Sequence, residues 1–101
     1  MNTLFTSRAG ISVIGGGAFC RADWPLGRVT LDSEALTLDA LFKSYRLRFA
    51  DIDRLRPSLL SVEIQHHASD VPGSVRILGV RLFRHLREAI HRHQLRVEVV
   101  D

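Results

Sequence analysis

Apolar and polar positions alternate along most of this chain, and then the period changes. Ile11 and Val13, followed by Ala18, make a strand pattern interrupted by Gly15-Gly16-Gly17. Glycines inside a strand mark a bulge or a close backbone approach. Asp23-Trp24-Pro25-Leu26-Gly27 is a corner, punctuated by Pro25 and Gly27. Val29 and Leu31 then share one face of a short strand, Asp32-Ser33-Glu34 turns the chain, and Leu36 and Leu38 return on one face of 35–41. That is a hairpin signal. Tyr45, Leu47 and Phe49 alternate with Ser44, Arg46 and Arg48. Ile52 and Leu55 lie three apart, as in a single helical turn or a bend, and Arg56-Pro57-Ser58 is a breaker. Val62 with Ile64, and Val75 with Ile77, predict two further strands, separated by the loop Ser69–Gly73.

From Val80 the spacing turns helical. Leu82, Phe83, Leu86, Ala89 and Ile90 form one apolar stripe, which predicts an amphipathic helix over 81–95. Leu95, Val97 and Val99 alternate again, so 96–101 is a tail or a short strand. Residues 1–9 carry little pattern and are expected to be a flexible N-terminus. Six or seven short strands at roughly ten-residue spacing argue for an antiparallel sandwich or barrel. One apolar helical stripe needs an open end of that barrel to cover. The expectation is a single mainly β domain over 1–101, capped by one C-terminal α-helix.

Composition narrows the class. The 101 residues are 46% apolar and 25% charged, which suits one folded domain and excludes disorder. No run of about 18 apolar residues exists to form a transmembrane segment. A single cysteine excludes a disulfide framework. The stretch before Cys20 is too glycine-rich for an export signal, so the chain is expected to be unprocessed and cytoplasmic. The net charge of +3 is unevenly spread. Residues 81–96 carry five arginines and Glu88, a surplus of +4, while the rest is near neutral at −1. Arg81, Arg84, Arg87 and Arg92 are therefore the candidate anion-contacting residues, suited by their guanidinium forks to phosphate or carboxylate. The plainer reading is a solvated helix face. No aromatic side chains interleave with these arginines for base stacking, so nucleic acid is not the expected partner.

Other candidate chemistry reduces to structural roles. Gly15-Gly16-Gly17 lacks the third glycine of a dinucleotide loop, since Cys20 stands there and Trp24-Pro25 follows. His66 and His67 face opposite sides of a strand, and His85, His91 and His93 lack the i,i+4 spacing of zinc-binding helices, so no metal site is expected. Asp51 and Asp53 share a face if extended, without a neighbouring nucleophile or histidine in sequence to complete a site. Cys20 reads as a small buried hydrophobe. Trp24, the only tryptophan, reads as a core or end plug. No catalytic residue and no cofactor are assigned, and the chain is expected not to be an enzyme.

The layout resembles the pleckstrin-homology (PH)-like superfold, especially its GRAM and bacterial PH-like branches. The resemblance rests on Trp24-Pro25-Leu26-Gly27-Arg28-Val29-Thr30-Leu31 followed by Leu36-Thr37-Leu38, and on Leu47-Arg48-Phe49-Ala50-Asp51-Ile52-Asp53-Arg54-Leu55. It spans about residues 10–95. It implies seven antiparallel strands in two near-orthogonal sheets with a capping helix, and a non-enzymatic interaction module. The lipid-binding subset carries a Lys/Arg-rich signature across its first two strands, where this chain has Arg21 and Arg28. The expected partner is a protein or a second copy, the latter by strand addition through Leu95–Val99. An anionic lipid on the arginine-rich helix face is the alternative.

Overall fold

The computed structural model describes residues 3–15, 18–40, 43–79 and 81–100. The chain runs as β1 (Phe5–Gly15), β2 (Ala18–Leu31), β3 (Ala35–Ala40), β4 (Lys43–Arg48), β5 (Ile52–Ser58), β6 (Ser61–His66), β7 (Ser74–Leu78) and α1 (Leu82–Arg92). A 3₁₀ turn at Phe49–Asp51 joins β4 to β5, but Ile52 and Leu55, whose three-residue spacing suggested a helical turn or bend, both lie in β5, where a register shift between Ile52 and Arg54 brings both to the buried side. The strands form one antiparallel sheet in the order β4-β3-β2-β1-β7-β6-β5, curled into a half-barrel. The expected sandwich or barrel thus takes the form of one continuous sheet.

Period-two patterning explains the curl. Ile11 and Val13 on β1, Val29 and Leu31 on β2, and Leu36 and Leu38 on β3 are all buried on the concave face. Tyr45 and Leu47, Val62 and Ile64, and Val75 and Ile77 complete it from β4, β6 and β7. The open side is covered by α1, which packs against β1 and β6 through Leu82, Leu86, Ala89 and Ile90. Burying a side chain such as Leu86 or Ile90 contributes about 1.5–3 kcal/mol, so this stripe holds the cap in place. Phe83 lies half-buried at the stripe's margin, with the Arg87 guanidinium over its ring at 5.7 Å.

Several boundaries differ from the sequence expectation. Phe5–Ala9 is no flexible N-terminus, because it pairs with Leu31–Gly27 of β2. Gly15 and Ala18 belong to two antiparallel strands and pair with each other, so the glycine run does not interrupt a single strand. Gly16 and Gly17, like Leu41, Val80 and the extreme termini, lie outside the described residues. The helix ends at Arg92 rather than 95. Gln94 adopts φ 53°, and the Leu95 N–H donates to the Ile90 carbonyl at 3.0 Å while the Gln94 N–H donates to His91. That is a Schellman stop, with Leu95 and Ile90 both packed on the core.

The tail also finds a place within the chain. The Leu55 N–H donates to the Glu98 carbonyl at 2.8 Å, and the Val100 N–H to the Leu55 carbonyl at 2.9 Å. This parallel bridge lies along the outer edge of β5. The segment expected to offer an edge for dimerisation instead covers one in its own chain. The other edge strand, β4, exposes Lys43, Arg46 and Arg48, charges that discourage strand addition.

Candidate functional site

The sheet's one large irregularity sits in β2. Ala9 pairs with Gly27, yet Ile11 pairs with Ala22, so two steps along β1 match five along β2. The surplus falls at Asp23–Leu26, the corner marked by proline in the sequence, where the Trp24–Pro25 peptide bond is cis. This bulge turns Trp24 and Leu26 outward. Trp24 is 64% exposed, which overturns the expectation of a core or end plug.

Three features on the outer face make a groove around it. Gly10 of β1 lies beside it, lining an adjoining hollow with Trp24 and Leu78: a Cβ there would lie 3.3 Å from both the Leu78 Cβ and the Trp24 backbone nitrogen. Leu78 occupies an outward position at the end of β7 and is 39% exposed. The third wall is the two-residue β5–β6 turn, Leu59-Leu60. Such turns ordinarily carry glycine or asparagine. Here Leu60 adopts φ 60°, a region that costs a non-glycine residue about 1–2 kcal/mol. Both leucines face solvent, at 89% and 59% exposure. Trp24, Leu60, Leu78 and Gly79 line a hollow of about 400 Å³ with hardly a polar atom in its wall.

Arginines stand around this apolar centre. An adjoining hollow of about 230 Å³ shares Leu60 and Gly79, and its wall includes Arg81, Phe83 and Arg84. Arg84 faces Glu88 at 3.4 Å, an exposed i,i+4 pair, while Arg81 makes no ion pair among the described residues. On the other side Asp23 is held by Arg21 at 3.0 Å, and Glu63 by Arg76 at 3.5 Å. Hydrogen bonds from Gln65 and Arg76 hold the Glu63 carboxyl below its usual range, against the opposing effect of burial. Of the four arginines predicted as anion contacts, the structure brings Arg81 and Arg84 to the groove. Arg87 lies over Phe83, and Arg92 is exposed at the far end of α1.

The remaining candidates have structural partners. Cys20 is half-buried against the core. Asp51 and Asp53 do meet a histidine, which adjacency in sequence did not reveal. His67 Nδ1 lies 2.9 Å from Asp53 Oδ1, and its Nε2 lies 3.9 Å from Asp51 Oδ1. Arg48 also reaches Asp51 at 3.4 Å. His66 is fixed by the backbone: its Nδ1 accepts from the Ala68 N–H, so its Nε2 donates to the Pro72 carbonyl at 2.9 Å. No group of three or more His, Cys, Asp or Glu side chains able to hold a metal occurs among the described residues.

Among the described residues, Asp32 is the one buried acid. It accepts from the Glu34 and Ala35 N–H groups at 2.7 and 2.9 Å and from Arg46 at 3.1 Å. Burial pushes its carboxyl up, but these donors outweigh that and hold it below the usual range. It fastens the β2–β3 turn.

No known protein family matches this chain, and no curated protein is significantly similar to it.

Proposed function

We propose that this protein is a non-enzymatic interaction module of PH/GRAM-like type, working from the cytoplasm, with the outer-face groove around Trp24 as its contact surface. The observation that carries this reading is the β2 bulge, which turns the chain's only tryptophan into solvent between Leu60 and Leu78. Exposed apolar clusters of this kind mark binding surfaces. Seven antiparallel strands followed by a C-terminal cap support the PH-like part of the reading, and the lone free Cys20 suits a reducing compartment. No helix among the described residues is long and apolar enough to cross a membrane.

The arginine-rich start of α1 favours a second reading within the same frame, an anionic surface as the ligand. Arg81 and Arg84 border the groove, whereas Arg92 does not.

Photo-crosslinking tests the module. A benzoylphenylalanine placed at position 60, in the cells that make the protein, should yield one discrete adduct that disappears with Trp24→Ala. The same group at Thr37, on β3, should yield none. Equal labelling at the two positions, or no adduct at position 60, would overturn the assignment.

A further inference from the structure

β2 outruns the strand that flanks it. It extends from Ala18 to Leu31, whereas β3 pairs only with Arg28–Leu31. Along 18–27, the side of β2 away from β1 has no pairing partner among the described residues. We propose that this free stretch pairs with the same stretch of a second copy, antiparallel, about a two-fold axis normal to the sheet at Ala22. The contact is separate from the groove, so the dimer and the groove reading can fail independently.

The treatment of the sheet's edges is the first argument. An open edge presents unpaired N–H and C=O groups and recruits another strand unless it is covered or charged. The edge at β5 is covered by the Glu98–Val100 tail, and β4 carries Lys43, Arg46 and Arg48, all of one sign. The free stretch of β2 is neither covered nor of one sign. Its charged residues are Arg21 and Asp23. Residues 18–22 are regular strand, paired one to one with Gly15–Ile11 of β1. Pro25 has no N–H to give, and the bulge around it limits regular pairing beyond Asp23.

Charge is the second argument, and it selects a second copy as the occupant. Arg21 and Asp23 flank Ala22 and share a face, where both are exposed and meet at 3.0 Å. Opposed residues of an antiparallel pair lie on one face, so such an axis must pass through a residue. At Ala22 it sets Arg21 of each copy opposite Asp23 of the other, two attractive pairs. At Arg21 it would oppose arginine to arginine, and at Asp23 aspartate to aspartate, both repulsive. At Cys20 it would give neither charge an opposite. Length is the third argument. An axis at Ala22 opposes position 18 to 26 and 26 to 18, so the ladder ends before Arg28, where β3 begins. Each copy's free stretch is then used by the other and none remains for a third, which closes the assembly at two.

Sedimentation of the full chain over a concentration series tests this. The expected result is a reversible monomer–dimer equilibrium. Arg21→Asp alone and Asp23→Arg alone should each weaken the dimer about tenfold or more, because each makes the opposed charges alike. Mixing these two variants in equal amounts should restore a dimer with one chain of each, seen by native mass spectrometry. Arg21→Asp combined with Asp23→Arg in one chain should dimerise like the parent. Both side chains are exposed, so thermal melts of all variants should stay within a few degrees of the parent's and separate lost association from lost folding. A parent chain that stays monomeric at about 200 µM overturns the proposal. So does a dimer indifferent to the single substitutions, or a mixture that fails to recombine, since either places the contact elsewhere. Growth into larger assemblies overturns the closed pairing, and ready oxidation to a disulfide between the two Cys20 residues would move the axis to that position. If the chain is monomeric while position 60 still crosslinks to another protein, the groove reading stands and the dimer falls. A dimer without that adduct leaves the reverse.

Discussion

The β2–β3 turn and the Trp24 groove invert the usual distribution of residues in opposite ways. At the turn a carboxylate is buried; at the groove a tryptophan and three leucines meet water. Asp32 is fully served inside the chain, by two backbone N–H groups and a guanidinium. The groove has no such internal answer, because nothing among the described residues covers Trp24. The first anomaly is therefore closed within the fold, and the second points outside it. A buried polar group is explained by its partners; an exposed apolar cluster is explained by what will cover it.

Substitutions can break this contrast. The largest effect is expected from Asp32→Ala, which leaves two backbone donors and Arg46 without their acceptor. It should cost about 2–3 kcal/mol, a fall in Tm of about 10–20 °C for a domain this size. A melt within a few degrees of the parent would show that the turn does not depend on its carboxylate.

Acid comes next. The folded Asp32 carboxyl lies below its unfolded value, so the stability it supplies is fully present above about pH 4 and is lost as pH falls through the folded pKa. Glu63 is shifted in the same direction. Urea midpoints followed from neutral pH into the acid range should therefore fall, and fall less steeply in Asp32→Asn. Parallel curves would remove Asp32 from the account.

Trp24→Ala should change folding stability by less than about 1 kcal/mol, because most of the ring already faces solvent. A larger loss in chemical denaturation would make Trp24 a structural residue and weaken the contrast. The smallest expected effect is a gain. Leu60→Asn should raise stability by about 0.5 kcal/mol, since asparagine tolerates the left-handed region better. A destabilised variant would show that Leu60 is held by packing.

Much of the fold is legible in the chain, and the failures share a cause. Strands β3, β4, β6 and β7 are written in strict alternation, as Tyr45-x-Leu47 and Val62-x-Ile64 show, and α1 in the spacing of Leu82, Leu86 and Ile90. Phe5–Ala9 was obscured because Phe5 is its only large apolar residue. The exposure of Trp24 could not be read because a bulge of several residues rotates side chains off the period-two frame. Asp32 with Arg46, and His67 with Asp53, are each separated by 14 residues, so their meeting depends on the register of distant segments. Arg81 and Arg84 were legible as a basic cluster, but not their place beside Leu60, because the β5–β6 turn reaches them across the sheet's end.

Gly10 ties the groove to descent. A methyl group at this position would press on both Leu78 and the Trp24 backbone, each of which would have to give by a few tenths of an ångström. Lineages that keep the tryptophan outside should therefore keep the glycine beside it. Those that lose one are released from the constraint on the other, so the two positions should change together as relatives diverge. Such a paired trace would record selection on a surface rather than on a core.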